Sequence, residues 1–284
     1  APELYLKRLV VGGFERVFEF ARCFRNEGMD RSHNPEFTQI EGYWAYQDYT
    51  GLMDFLEGML TRVVTRLFPD GSHPFGDETI RWQAPFPRVK FSDAFHKATG
   101  IDLTKQPDEK TLLAVFHKHK LTIPTEPTRP HLIDELFKEL VRPSMVQPTF
   151  LIDHPVELSP LAKRREDDPN FVERFQLIVA GQEVVNAFSE LNDPEDQAAR
   201  FAEQEILRQA GDTEAQRTDA DFLSALEYGL PPTAGFGLGI ERFVALLVNA
   251  HTIKEVIFFP TLRPEHNATQ QTSQVKLTAI DKEI

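Results

Sequence analysis

The chain has 284 residues, 41% of them apolar, enough to bury the core of one large globular domain or of one domain carrying a helical insert. Its longest apolar runs, such as residues 243–248, fall well short of the roughly 20 residues a membrane-spanning helix needs, and the first residues lack the basic-then-apolar order of a secretory signal. The pattern predicts no membrane association and a cytoplasmic location. The single cysteine, Cys23, excludes an internal disulfide and a cysteine-built zinc site, and it reads as a small buried residue on a strand. A net charge of −13 means that any nucleic-acid partner must be held by local basic patches rather than by the field of the whole molecule. The same charge suits a carboxylate-built pocket for a cationic ligand or a metal ion.

In chain order, the opening Ala1 to Leu9 has no initiator methionine and already shows helical spacing at Leu4, Leu6 and Leu9 or Val10, as expected of a chain that begins inside a longer protein. Residues 16–25 alternate with period two and carry apolar residues on both faces, which predicts a strand buried inside a sheet. A polar loop over 26–36 and a second β-rich run over 37–46 complete a long antiparallel hairpin. Residues 50–68 predict an amphipathic helix with Leu52, Phe55, Leu56, Met59, Val63, Val64 and Leu67 on its apolar stripe. Residues 69–89 are rich in proline and glycine with little periodicity. Three short helical patterns at 91–99, 110–120 and 131–141, separated by proline-containing links, predict a helical insert over 90–145. Strand signals resume at 149–152, 175–179 and 183–188, and 194–209 is again helical. Glycine-rich residues 235–240 lead into a helix over 241–249, and the Gln- and Thr-rich residues 265–284 read as a loose polar tail. Strands joined as hairpins rather than in strand–helix alternation predict an α+β protein, an antiparallel sheet flanked by helices.

Three constellations carry chemistry. Arg25 and Glu27 stand two apart at a strand end, so both point to one face of the sheet, where a guanidinium can grip a phosphate and a carboxylate can accept from an amino group. By spacing alone, a cross-strand ion pair and a solvated loop carrying Arg31, His33 and Asn34 are the plainer explanation. Gly235, Gly237 and Gly239 recur with strand period, leaving one face bare for a flat ring, and Arg242 opens a helix whose N-terminus favours anions. The G-x-G-x-x-G spacing of a dinucleotide fold is absent, and a closely packed strand is the plainer alternative. Asn186, Phe188 and Glu190 share a face, an amide, a ring and a carboxylate in a row; they suit a ligand presenting a carboxylate, an aliphatic stem and a cation, or simply a half-exposed strand.

The motif from Phe24 to Phe37 (FRNEGMDRSHNPEF) is similar to motif 2 of class II lysyl-tRNA synthetases, residues 235–242 resemble their motif 3, and residues 183–193 with 227–235 resemble the lysine-type signature between them. Several specific motifs in the right order cover residues 1–264. The resemblance implies the class II synthetase fold and a lysine–tRNA ligase (EC 6.1.1.6): L-lysine is activated with ATP and transferred to the terminal adenosine of tRNA(Lys).

By resemblance, Arg25 bridges the substrate carboxylate and the α-phosphate, and Arg242 with His33 holds the outer phosphates. Glu27 accepts from the adenine amino group, Phe37 and Arg242 sandwich the ring, and Asn34 supports it. Glu3 takes the lysine α-ammonium and Asn186 its carboxylate; Glu190, Tyr43 and Glu41 hold the ε-ammonium, and Phe188 packs on the stem. Gly237 keeps this pocket in its lysine form, whereas a related enzyme that modifies elongation factor P carries alanine there. Mg2+ in this family lies between ATP phosphates and two glutamates; Glu183 matches one, and Gln176 stands where the other is usual, its amide oxygen still able to ligate. The family is dimeric and carries an N-terminal anticodon-binding barrel and a motif 1 interface that residues 1–264 do not match. The elongation-factor-modifying enzyme and a non-catalytic paralogue are the competing readings.

Overall fold

The computed structural model describes residues 2–25, 30–31, 33–125, 127–209 and 217–261. Glu27 and the tail over 265–284 lie outside the described residues.

A helix, α1 (Glu3–Val11), leads into the hairpin of β1 (Arg16–Phe24) and β2 (Glu36–Ala45), then α2 (Tyr49–Leu67) and a small ribbon of β3 (Ser72–Phe75) and β4 (Glu78–Arg81). After β5 (Arg88–Lys90) come α3 (Phe91–Thr99), α4 (Glu109–His119) and α5 (Arg129–Leu136), the last continued by a π-helical turn, Phe137–Val141. Then follow β6 (Thr149–Pro155), β7 (Phe171–Val179), β8 (Gln182–Ser189), α6 (Pro194–Gln209), α7 (Ala220–Tyr228), β9 (Thr233–Gly239) and α8 (Ile240–Leu247). The main sheet has seven strands in the order β1-β2-β9-β8-β7-β6-β5. Every neighbouring pair is antiparallel except β5 and β6, which are parallel.

Alternation along the central strands divides the side chains between two faces. Phe175, Leu177, Val185, Ala187, Ala234 and Leu238 point to one face and bury against Leu52, Leu56, Leu60 and Val64 of α2 and Phe243 and Leu246 of α8. Asp48 accepts from the Gly51 N–H at 2.9 Å and so caps the start of α2. The opposite face is flanked by α3–α5, which share a core with Leu151, Phe171 and Ile178, and at the other end by α1, α6 and α7, whose core takes in Tyr43 and Leu161. Between these flanks the middle of the sheet stays uncovered, and its polar and glycine residues form the floor of a cleft.

Three local expectations change. β1 is an edge strand rather than an interior one: Ala21 and Cys23 are buried, but Phe18, Phe20 and Phe24 are exposed because, among the described residues, β1 pairs only with β2 and nothing covers its outer face. The buried stripe of α2 runs through Leu52, Met53, Leu56, Leu60 and Val64, while Phe55, Val63 and Leu67 are exposed; the stripe is narrower and rotated toward the sheet it meets. Residues 72–81, aperiodic by sequence, form a ribbon whose Trp82 donates to His73 Nε2 at 2.9 Å.

Candidate active site

The floor of the cleft is set by strand register. Tyr43 on β2, Gly235 on β9 and Phe188 on β8 lie in one row, and Glu41, Gly237 and Asn186 lie in the next, with Gln176 of β7 beyond Asn186. The glycines are demanded by close approach. A Cβ on Gly235 would stand 2.4 Å from both Glu190 Oε1 and the Tyr43 ring, and one on Gly237 would stand 2.2 Å from Gln39 Nε2. The alternating glycines therefore let long side chains from β2 and from the end of β8 lie across β9.

One end of the cleft is cationic. Arg25, His33, Asn34, Phe37, Glu183, Glu241 and Arg242 line an open cleft. The Arg25 guanidinium lies 5.1 Å from the centre of the Phe37 ring, a cation–π arrangement that holds both on one wall. Arg242, on the first turn of α8, reaches Glu183 O at 3.2 Å and His33 Nε2 at 3.1 Å. Asp30 holds His33 in turn, taking its backbone N–H at 2.7 Å and lying 2.8 Å from Nδ1. Asn34 donates to Glu36 O, and its buried Oδ1 accepts no hydrogen bond among the described residues. Glu241 accepts the Thr38 N–H with both carboxylate oxygens, at 2.8 and 2.9 Å, and ties α8 to β2.

The other end is anionic and buried. Glu3, Glu41 and Glu190 converge beside Tyr43 and Phe188, and into their midst α1 sends Lys7, whose side chain is 1% exposed. Lys7 Nζ is 2.7 Å from Glu3 Oε1 and 2.7 Å from Glu190 Oε2, and it lies 5.2 Å from the Phe188 ring centre and 5.8 Å from that of Tyr43. Both are ion pairs at hydrogen-bonding distance, and the other Glu190 oxygen, Oε1, is buried without a hydrogen bond among the described residues. Burial pulls the Lys7 ammonium down, but Glu190 and Glu3 outweigh it and hold the group above its ordinary range, so it stays charged. Burial lifts Glu41 to about 7, with Glu3 adding repulsion. Burial likewise lifts Glu190 to about 8, against the pull of Lys7. Both carboxyls therefore hold a proton more firmly than an exposed glutamate does.

Between the two ends, Asn186 is oriented by a buried arginine. Arg174 Nε donates to Asn186 Oδ1 at 2.8 Å while Nη1 is held by Leu158 O at 2.6 Å and Ser159 Oγ at 2.9 Å. With its oxygen engaged, the Asn186 amide presents its N–H groups to the cleft. A register shift between Leu177 and Ile178 brings Glu183 opposite Ile178 and turns its carboxylate to the same face as Gln176.

The two residues expected at a metal, Glu183 and Gln176, are adjacent. The Gln176 amide nitrogen donates to Glu183 Oε2, and its oxygen lies 3.2 Å from His154 Nε2. His154 is fully buried and its ring pKa falls to about 3, by burial first and then by the Arg174 charge, so it is neutral and can donate from only one nitrogen. No group of three or more His, Cys, Asp or Glu side chains is placed to hold a metal among the described residues. The donor set therefore fits an ion carried in by phosphates and met by one protein carboxylate, as Mg2+ commonly is, rather than a protein-built cage.

Sequence reasoning thus placed Arg25, His33, Asn34, Phe37, Glu183, Gly237 and Arg242 along one cleft. It likewise brought Glu3, Glu41, Tyr43, Phe188 and Glu190 to its buried end, with Asn186 at the join. It missed Lys7, Arg174, Gln39 and Glu241. Lys7 had a signal, its i,i+4 spacing from Glu3 on a helix, and Arg174 had another, an arginine two residues from Gln176 and so on the same face of a strand.

A mostly antiparallel sheet thus carries cationic and aromatic side chains at one end of its open face and a buried acidic pocket at the other. The chain belongs to the class II tRNA synthetases of the D, K and N type, whose family model matches residues 1–263. It is 49% identical over 272 residues to the lysine–tRNA ligase of Dehalococcoides mccartyi, a match covering 95% of this chain and 55% of that protein. The lysine–tRNA ligase of Thermosipho africanus is 49% identical over 264 residues (93% and 52%), and that of Christiangramia forsetii is 46% identical over 276 residues (97% and 48%). The chain spans about half the length of the curated relatives it matches. No helix among the described residues is long and apolar enough to cross a membrane.

Proposed function

We propose that the protein carrying this chain is a cytoplasmic lysine–tRNA ligase, which forms lysyl-adenylate from L-lysine and ATP and then esterifies tRNA(Lys). The observation that carries this reading is the junction of the two half-sites. A buried pocket of three carboxylates opens, through the Glu41–Gly237–Asn186 row, into a cleft lined by Arg25, His33, Phe37 and Arg242. Nothing in the reaction calls for a general base, because the lysine carboxylate is ionised far above its reference pKa of about 3.7. What remains is to align two anions and neutralise the charge that builds on the α-phosphate.

In this reading Arg25 spans the lysine carboxylate and the α-phosphate, and the Asn186 amide, oriented by Arg174, donates to the same carboxylate. Arg242 and His33 take the outer phosphates. Phe37 and Arg242 sandwich the adenine, Asn34 supports it with its open Oδ1, and Glu27 accepts from its amino group. Glu3 receives the α-ammonium, and Glu190, Tyr43 and Glu41 receive the ε-ammonium with Phe188 along the stem. A buried ammonium demands compensation, so acids at that end reject neutral side chains strongly. Mg2+ bound with ATP would shield the phosphates, with Glu183 as its protein ligand. The helices of 90–145 form an insert on the catalytic domain of residues 1–264.

The whole protein would act as a homodimer, a reading supported by the exposed Phe18, Phe20 and Phe24 on edge strand β1. Retention of glycine at 237 favours lysine over the elongation-factor-modifying alternative. The test is ATP–pyrophosphate exchange in the whole protein. Exchange that depends on L-lysine, and lysylation of tRNA(Lys), support the reading. Exchange driven only by β-lysine with a protein acceptor moves the assignment to the elongation-factor-modifying relative, and ATP binding without lysine-dependent exchange moves it to a non-catalytic paralogue.

A further inference from the structure

Lys7 is the largest unexplained charge in the pocket. A fully buried ammonium costs several kcal/mol unless it is paired. Here it is paired twice, by a carboxylate one helical turn away on α1 and by another at the end of β8, residues 187 positions apart in the chain that meet only in the fold. The groups facing Glu190 are Lys7 and Glu3 from α1 and Glu41 and Tyr43 from β2. From α6 the nearby cation Arg200 is committed to Asp196 and to the carbonyls of Ser159 and Ala162, and α7 contributes the ring of Phe222, 5.8 Å from Lys7 Nζ. Lys7 occupies Glu190 Oε2 alone, and Oε1 remains buried, without a hydrogen bond and turned toward Gly235 and Tyr43. Once all three carboxylates are ionised, the one fixed ammonium leaves two negative charges.

We propose that Lys7 is a specificity-determining residue of the pocket, a resident cation that positions Glu3 and Glu190 and cancels one of three carboxylates, so that the two charges left over select an amino acid with two ammonium groups. This inference rests on the reading of the pocket as the amino-acid site. Without Lys7, Glu190 loses its one cation and Glu3 the hydrogen bond that aims its carboxylate. Glu190 then holds a proton more firmly at neutral pH and is a weaker partner for an incoming ammonium.

The test is Lys7→Met, which keeps the unbranched stem and removes the charge, made in the whole protein and read by ATP–pyrophosphate exchange. The KM for lysine rises about tenfold or more at pH near 7 while the KM for ATP and the thermal midpoint move little, and raising the pH toward about 9, which re-ionises Glu190, recovers part of the loss. An unchanged or lower lysine KM overturns the inference. So does a combined loss of lysine and ATP parameters that pH does not correct, which would make the ion pair purely structural; circular dichroism and ATP binding identify that case. If the unsubstituted protein shows no lysine-dependent exchange, the reading of the pocket falls and this inference falls with it; normal exchange there with an unaltered variant removes this inference alone.

Discussion

Alanine placed at 235 and at 237 should give opposite results, although both glycines lie on the same face of the same strand. At Gly235 the added methyl would stand 2.4 Å from Glu190 Oε1 and 2.4 Å from two Tyr43 ring carbons. Ordinary contact begins about 1 Å farther away, and neither neighbour can yield: Glu190 is buried at the end of β8, and Tyr43 is buried on β2 with its hydroxyl 3.4 Å from Glu41 Oε2. Overpacking of this kind costs about 1–3 kcal/mol, and the displaced atoms are those that would receive the lysine ammonium. At Gly237 the methyl would meet Gln39 Nε2 at 2.2 Å, but Cδ is 3.3 Å away and Cγ 3.9 Å, so the clash involves the tip of a side chain that can rotate aside. Gly235→Ala should lower the denaturant midpoint and raise the lysine KM at least tenfold with the ATP KM little changed, whereas Gly237→Ala should cost under about 1 kcal/mol and alter amino-acid preference more than stability. Denaturant titration and lysine-dependent exchange measure both. A Gly235→Ala protein as stable as its parent with an unaltered lysine KM, or a Gly237→Ala protein less stable than Gly235→Ala, would refute the reasoning.

Other outcomes follow from the same geometry. Glu41 near 7 and Glu190 near 8 must shed protons to receive an ammonium, so the lysine KM should fall about tenfold as pH rises from about 6 to 8; a flat profile measured with saturating ATP argues against the pocket. Because both folded-state values lie above the unfolded carboxylate value of 4.5, their stabilisation is full below that pH, falls as pH rises above it, and is gone once pH has passed about 7 to 8. Bound lysine offsets that loss, so the rise in melting temperature on adding lysine should be larger at pH 8 than at pH 6. Gln176→Glu sets a second carboxylate against Glu183, and the Mg2+ concentration for half-maximal exchange should drop several-fold; an unchanged requirement in a metal titration would place Gln176 outside the metal's reach.

Much of this molecule is legible along the chain because its information is local. Period-two alternation places Asn186 with Phe188, and Gly235 with Gly237, on shared faces before any partner strand is known, since successive side chains on a strand must point oppositely. Residue chemistry then suggests what each face can bind, and motif spacing suggests the order of phosphate, carboxylate and ammonium contacts. Short-range rules stop where burial begins. That β1 sits at an edge with its phenylalanines bare depends on which strands lie beyond it. That the α2 stripe turns toward Met53 and Leu60 depends on the sheet it meets. The bulge that swings Glu183 beside Gln176, and the amide orientation that gives Glu183 a nitrogen rather than an oxygen neighbour, arise from the pairing of β7 with β8 and from His154 packed behind them.

Lys7 marks the boundary most clearly. Its spacing from Glu3 can be read on one helix and predicts an exposed ion pair worth a few tenths of a kcal/mol. Only the fold brings Glu190 from the far end of β8, closes Phe188, Tyr43 and Phe222 around the ammonium, and removes the water that would have screened it. Residue types and local periodicity determine which groups are available to a site. Their charge state and partners are decided by desolvation and by contacts between distant segments, which exist only after the chain has folded.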